Sequence, residues 1–264
     1  MKNLGIIGCG NVATEILKSN LQNVSKIFLY DIDNEKSYIL AEMFSEHEIV
    51  VCTSIKEVIK KSDLIVESAS VNAVGEILFE IKSFLKKELL ILSVGGLIKN
   101  FRLYKDLISK NYKIYIPSGA IAGCDALTAL KGVNIKSITL KTTKPAETLL
   151  SVPYVKSRIK LYKKILLNKI TKVFQGNVYD AIKYFPQNIN VAATLAIISG
   201  QPQKVEVELV AQKGLTKNIH EITIISVAGK IYTRTENVPS VSNPKTSYLA
   251  ALSVISNLRT LLGR

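Results

Sequence analysis

Gly8, Gly10 and Ala13 stand between an apolar run, Leu4 to Ile7, and a helical pattern that begins at Val12. In Gly8-Cys9-Gly10-Asn11-Val12-Ala13 the first glycine permits a sharp turn and the second lets a phosphate come close to the backbone. The small Ala13 lets a helix pack tightly on a strand. The N–H groups at that helix start, with Asn11 and Val12 in its first turn, offer donors and a partial positive charge to a pyrophosphate. A second apolar run, Lys26 to Tyr30, ends at Asp31, 21 residues after Gly10. An acid at that distance takes the ribose hydroxyls of a dinucleotide. Gly8, Gly10, Asn11, Val12 and Asp31 therefore predict a dinucleotide site, against the alternative of a chance glycine-rich turn.

Three further stretches carry groups able to do chemistry. The chain has two histidines, of which His47, beside Glu46 at a predicted helix end, reads as a surface residue. His220 lies in Asn218-Ile219-His220-Glu221-Ile222, where the apolar neighbours leave its face open. A histidine in a strand is either structural or catalytic. Removal of a hydride from a carbon bearing nitrogen or oxygen needs a proton acceptor near neutral pH, and imidazole titrates there. Asn188 and Asn190 flank the start of a small-residue helix, as caps or as amides for a carboxamide such as that of nicotinamide. Glu236 to Ser247 holds two prolines and a run of hydroxyl residues. It reads as a turn with an N-cap, or as an anion cradle in which Lys245 is the charge and Thr246 and Ser247 are donors.

The elements that must position these groups alternate. Strands are predicted at 4–8, 26–31, 48–51, 64–67, 89–94 and 113–116, with helices at 11–20, 35–46, 54–61, 72–86 and 101–110. Several strands are apolar throughout, the pattern of a parallel sheet covered on both faces. Ligands of such sheets sit beyond the carboxyl ends of the strands, so the small residues at 68–70, 93–96 and 118–123 are candidate cofactor walls. Past residue 130 strands alternate polar with apolar, at 135–140, 205–211, 219–226 and 230–235, with helices at 154–171 and 189–199. The fold class is thus α/β: a Rossmann-type parallel-sheet domain over 1–119, and an α+β catalytic and dimerisation domain with a mainly antiparallel sheet over 120–244. The last helix, within 245–264, is predicted to pack back on the first domain.

Composition narrows the function classes. The chain is 264 residues long and 47% hydrophobic, and no apolar run reaches the roughly 18 residues of a membrane helix. It enters a strand directly after Met1-Lys2-Asn3, so no secretory signal is expected. Cys9, Cys52 and Cys124 are far apart and odd in number. That predicts no disulfide framework and no metal site, and a reducing cytoplasm. The net charge is +14, and residues 131–175 hold eleven Lys or Arg against one acid. A nucleic-acid surface, a solvated lysine-rich helix face and a field that attracts an anionic substrate all fit that count. The helical spacing of Val155, Ile159, Tyr162, Leu166, Ile170 and Val173 favours the second, so neither nucleic acid nor membrane is expected as a partner.

With these residues in place the chain resembles the L-aspartate dehydrogenases. The resemblance is carried by GIIGCGNVA, YIPSGAIAGCDAL, ITLKTTKPAETL, FPQNINVAATLA, NIHEI and ENVPSVSNPKTSYLAALS. It departs at Cys124, where a larger apolar residue is expected, and in its lysine content. The resemblance implies His220 as the catalytic residue. It implies nicotinamide-cofactor contacts at Asn190 and at an alanine of SGAIAG, either Ala120 or Ala122. It implies oxidation of L-aspartate to iminosuccinate, which hydrolyses to oxaloacetate and ammonia or feeds NAD biosynthesis, and the reverse reductive amination. Asp31 favours NAD as the cofactor, with NADP as the alternative. Lys245 with Thr246 or Ser247 is the candidate for one substrate carboxylate, and Arg234 or Ser118 for the other. A homo-oligomer, as a dimer, is expected. The rival readings are a non-enzymatic NAD(H)-binding sensor or nucleic-acid protein, and a related two-domain reductase acting on dihydrodipicolinate or a semialdehyde.

Overall fold

The computed structural model describes residues 1–19, 21–186, 190–240 and 247–263. The chain divides into two compact units, Met1–Pro117 with Ala251–Arg264, and Ser118–Ala250.

The first unit is built on six parallel strands. They are β1 (Lys2–Ile7), β2 (Val24–Tyr30), β3 (Ile49–Val51), β4 (Leu64–Glu67), β5 (Glu88–Ile91) and β6 (Lys113–Tyr115), in the order β3-β2-β1-β4-β5-β6. The order turns outward in both directions from β1 and β4, which makes their carboxyl ends the switch point where such sheets bind ligands. Leu4, Ile6, Leu64, Ile65, Val66, Leu89 and Leu90 are fully buried, which is why these strands read as unbroken apolar runs. Ser54 caps the helix Ile55–Lys61 by accepting the Glu57 N–H at 3.2 Å. The Glu57 carboxylate turns back to the N–H and hydroxyl of Thr53, one residue before the cap.

The C-terminal helix Tyr248–Leu261 closes this unit's core. Val254, Leu258 and Leu262 pack in one cluster with Leu4, Ile6, Ile16, Leu17 and Leu29. Lys2 donates to the Leu261 carbonyl and Asn23 to that of Leu262, so carbonyls left over at the helix end find partners.

The second unit carries β7 (Ile135–Pro145), β8 (Ile170–Asn177), β9 (Val205–Gln212), β10 (Asn218–Ser226) and β11 (Gly229–Asn237), in the order β11-β10-β7-β9-β8. All neighbours are antiparallel except β7 and β9, so the sheet is mixed and mostly antiparallel.

Three elements differ from the sequence expectation. The helix predicted through 154–171 is two short helices, Pro153–Lys156 and Ile159–Leu167. Asn168 then turns extended and β8 begins at Ile170. Ile170 and Val173 continue the helical spacing, but the local run is β-branched, and pairing with β9 buries Thr171 and Val173 while Ile170 and Lys172 face out. Strand β7 also runs five residues past Leu140, to Pro145, and carries Thr142 and Lys144 onto the sheet. The strand predicted at 89–94 ends at Ile91, and Gly95-Gly96 begins the helix Gly95–Lys99. Among the described residues no helix is long and apolar enough to cross a membrane.

Leu258 is fully buried in the first unit's core. Leu258→Ala is expected to lower unfolding free energy by about 2–5 kcal/mol, read as a fall in the urea midpoint at unchanged slope.

Candidate active site

In the first unit the glycine turn follows directly from β1. Gly8 has φ +99°, and a Cβ there would lie 2.5 Å from the Ala69 backbone, so only glycine fits. Its N–H donates to the Tyr30 carbonyl at 2.8 Å, and Ser68 Oγ donates to its carbonyl at 2.8 Å. A Cβ at Gly10 would meet nothing within 4 Å; the turn leaves open the space that a pyrophosphate would take. Gly10 is the N-cap of the helix Asn11–Lys18 and brings no side-chain cap. Asn11 is exposed, Val12 half-buried, and Ala13 fully buried against the sheet.

Two carboxylates brace the strand ends. Asp31 accepts the Cys9 N–H at 2.8 Å through one oxygen and the Asp33 N–H at 2.9 Å through the other, which ties the end of β2 to the glycine turn. Each carboxylate oxygen has a second acceptor position, so this bracing leaves Asp31 able to accept from hydroxyls. Glu67, at the end of β4, is fully buried and accepts the N–H groups of Ala69, Leu92 and Ser93 at 3.0, 3.2 and 2.8 Å. Burial pushes its carboxyl above the ordinary range, and the donors of Ser93, Ala69 and Leu92 act against that push. Sequence reasoning marked residues 68–70 and 93–96 as walls and passed over the residue that holds both. Its signal was an acid closing an otherwise apolar strand, Leu64-Ile65-Val66-Glu67.

In the second unit His220 sits on β10 opposite Thr142 of β7 and Thr235 of β11. It is 4% exposed, and its Nδ1 shares a hydrogen bond with Thr142 Oγ1 at 3.0 Å. Burial holds the imidazole down to about 3, and the charge of Lys144 adds to the effect. Lys144, two residues beyond Thr142 on the same face, is itself buried, which holds its ammonium down to about 8. Thr142 and Lys144 escaped the sequence reading because Lys-Thr-Thr-Lys has no apolar residue to show which positions face inward.

The segment 118–123 is laid along β11 by alternate side chains of that strand. Thr235 Oγ1 and Asn237 Nδ2 donate to the Ala120 carbonyl at 3.1 and 2.8 Å, and Thr233 Oγ1 donates to that of Ala122 at 3.2 Å. Ala120 is buried and Ala122 exposed; Ser118 is half-buried at the start of the same segment. The rung that holds Ala120 is thus the one that carries His220.

The other predicted residues are placed differently. Asn190 begins the helix Asn190–Ser199 and is exposed. Ser247 is buried and bridged to Pro239 ahead of the C-terminal helix. Asn188, Lys245 and Thr246 lie outside the described residues. Arg234 is not brought together with His220. It is exposed, faces the other side of the sheet, and binds Glu236 at 2.8 Å and Glu221 at 3.4 Å. Among the described residues no three His, Cys, Asp or Glu side chains gather to hold a metal ion.

Comparison with known proteins puts names beside this geometry. The family described as "Aspartate dehydrogenase, C-terminal" matches residues 125–261, and the ornithine cyclodeaminase/mu-crystallin family matches residues 1–142. The L-aspartate dehydrogenases of Methanosarcina mazei and Methanocaldococcus jannaschii are 39% and 38% identical to this chain, each over 99% of it and 97% of their own length. The crystal structure of aspartate dehydrogenase from Thermotoga maritima superposes with a TM-score of 0.75 at 27% identity, over 99% of this chain and 97% of that one. Myo-inositol 2-dehydrogenase from Lactobacillus plantarum shares the fold at a TM-score of 0.55 and 12% identity, over 99% and 88%.

Glu67→Gln turns an acceptor oxygen into an NH₂ donor that faces backbone donors. It is expected to lower unfolding free energy by about 1–3 kcal/mol, measured by urea denaturation, and to weaken binding of a reduced nicotinamide dinucleotide, measured by its fluorescence.

Proposed function

The chain belongs to the L-aspartate dehydrogenase family, and we propose that it oxidises L-aspartate to iminosuccinate with a pyridine nucleotide, NAD⁺ in preference to NADP⁺, and catalyses the reverse reductive amination. In this reading the six-stranded unit binds the dinucleotide and the second unit carries the acid–base group. The observation that carries it is the His220 imidazole, buried, oriented by Thr142 and on the rung that holds Ala120, in a chain that matches L-aspartate dehydrogenases from end to end.

The residues of the glycine turn fit the cofactor. The N–H groups of Asn11 and Val12 and the open face of Gly10 suit a pyrophosphate. The remaining acceptor positions of Asp31 suit the adenosine ribose hydroxyls, and its charge, with Asp33 two residues on, opposes a 2′-phosphate. Ala120 and Asn190 suit the nicotinamide end. The bound nicotinamide ring supplies the hydride acceptor.

The chain's own part is proton handling. L-Aspartate arrives as an ammonium, which has no lone pair to assist loss of hydride from Cα. His220 takes one proton from it. For Nε2 to be the accepting atom, Nδ1 must carry the ring proton and donate it to Thr142 Oγ1, a role the hydroxyl can take. Burial keeps the imidazole neutral across the neutral range and lowers its basicity, so it takes the proton only as part of the concerted loss of hydride. As the amine loses that proton its lone pair forms the C=N bond of iminosuccinate and the hydride leaves Cα. Iminosuccinate then hydrolyses to oxaloacetate and ammonia or is handed on to NAD biosynthesis. In reverse, the His220 imidazolium protonates the hydroxyl that leaves the carbinolamine. Lys245, Thr246 and Ser247 remain candidates for a substrate carboxylate.

Initial rates of reduced-cofactor formation across a panel of amino acids test the substrate, and a rate specific to L-aspartate is expected. Rates equal to background with L-aspartate in both directions would remove the proposal. His220→Ala is expected to lower kcat by about 10²–10⁴-fold with the dinucleotide dissociation constant unchanged. Asp31→Ser is expected to shift the ratio of kcat/KM for NADP⁺ over NAD⁺ upward by at least about tenfold, some 1.4 kcal/mol, in the same assay.

A further inference from the structure

The edge strand β11 is polar where it meets the segment 118–123. Thr233, Thr235 and Asn237 share the His220 face of that strand, because side chains two apart in a strand point the same way. Each donates to a carbonyl of the segment: Asn237 Nδ2 and Thr235 Oγ1 to Ala120, and Thr233 Oγ1 to Ala122. The order is reversed, 120 with 235 and 122 with 233, so the segment runs against the direction of β11. The Ala120 carbonyl thus receives one donor for each of its two lone pairs. Asn237 is 4% exposed, and its Nδ2 also donates to Thr235 Oγ1 at 3.4 Å. The two side chains and the carbonyl therefore close a triangle. The segment gains from such bonds, because Gly119 and Gly123 near its ends have φ +67° and +90°, and glycine has the most backbone freedom to lose on ordering. Burial is non-directional, whereas two hydrogen bonds on one carbonyl fix the plane of its peptide.

We propose that Thr235 and Asn237 are positioning residues for the cofactor: by fixing the Ala120 carbonyl they hold Ala120 as a wall for the nicotinamide end of the dinucleotide. The inference rests on the aspartate dehydrogenase reading and deepens it. The segment 118–123 follows β6 in the chain, and ligands of a parallel sheet sit beyond the carboxyl ends of its strands. The clamp also lies at the imidazole, since Thr235 pairs with His220 and Asn237 with Asn218 across the β10–β11 ladder. The alanine it holds brings only a methyl group, which lets a flat ring come close to the backbone. Hydride transfer needs that ring within a narrow range of distance and angle. A wall able to shift at its two glycines would not keep it there, and apolar residues on β11 would bury the segment without fixing its peptide planes. The polar inner face of this strand supplies the missing constraint.

The test compares two ligands on the full chain: NADH, and ADP-ribose, which has the same pyrophosphate and adenosine but no nicotinamide. Thr235→Val and Asn237→Leu each keep the approximate shape and remove the donor to Ala120. Each is expected to raise the NADH dissociation constant by about three- to tenfold, the size of one hydrogen bond. ADP-ribose should bind both variants as it binds wild type, and Thr235→Ser, which keeps the hydroxyl, should restore NADH binding. A rise of less than threefold for NADH in both variants would overturn the proposal. An equal loss for NADH and ADP-ribose would overturn it too, marking the clamp as scaffold. A second measurement uses the wild-type chain if the variants do not fold. With isotopically labelled alanine methyl groups, the Ala120 NMR signal, assigned by its loss in Ala120→Gly, is expected to shift with NADH and to stay in place with ADP-ribose. A signal unmoved by saturating NADH, or moved equally by both ligands, would overturn the proposal. A wild-type chain that binds neither ligand would end the functional reading and this inference with it. One that binds both without activity on L-aspartate would end the substrate reading alone, and the two-ligand comparison would still decide the role of the clamp.

Discussion

The hydrogen bond between Thr142 and His220 depends on one register, that of β7 against β10. Side chains of a strand alternate between faces, so a slip of one residue would exchange every group on one side for those on the other. Here the exchange would replace His220, Thr142 and Thr235 by Glu221, Lys141 and Arg234. The first set is buried or half-buried and includes the imidazole; the second is joined by ion pairs at 3.1 and 3.4 Å and borders solvent. The sheet thus separates the buried imidazole from surface charge by nothing more than pleat. The apolar residues of the same strands, Leu140, Ile222 and Ile224 among them, are buried and hold the register that makes the separation.

The six-stranded unit solves a related problem with carboxylates. A parallel sheet leaves backbone N–H groups beyond the ends of its strands, and buried N–H groups need partners. Asp31 and Glu67 supply them at the ends of β2 and β4. A carboxylate has about four acceptor positions on two oxygens, so one side chain can fix several loops at once. This bracing leaves the glycine turn shaped by the chain itself, with Gly8 against Ala69 and Gly10 facing open space. For a ligand of the kind proposed above, a turn formed in advance spends less of the binding energy on ordering the loop.

The parallel unit was legible in the sequence because both faces of its strands are buried. Leu64-Ile65-Val66 and Leu89-Leu90-Ile91 cannot be mistaken for a half-exposed element, and the glycine spacing then locates the turn. The second unit was harder to read. At 154–174 apolar residues at helical spacing continued across a helix end into an edge strand, and only pairing with β9 separates Ile170 from Thr171. At 141–144 every residue is polar, so local pattern assigns no inner face; the partner strand assigns it. His220 stood out through the chemistry that an imidazole allows, whereas Thr142, Lys144 and Glu67 act through burial and cross-strand neighbours, which a linear sequence does not display.

Charge gives the same lesson in another form. Eleven basic residues lie between 131 and 175, and those on the helix Ile159–Leu167, Lys160, Lys163 and Lys164, are exposed. Exposed lysines keep their hydration and interact weakly with any single partner. Together they contribute to a diffuse positive field, which raises the local concentration of anionic ligands without selecting among them. Lys144 belongs to the same run in sequence and to a different class in energy, since burial removes its hydration and places its charge beside the one buried imidazole. A count of charges along the chain ranks these lysines alike. Their accessibility separates solvated surface from a charge held inside the fold, and it follows from the element that each side chain happens to occupy.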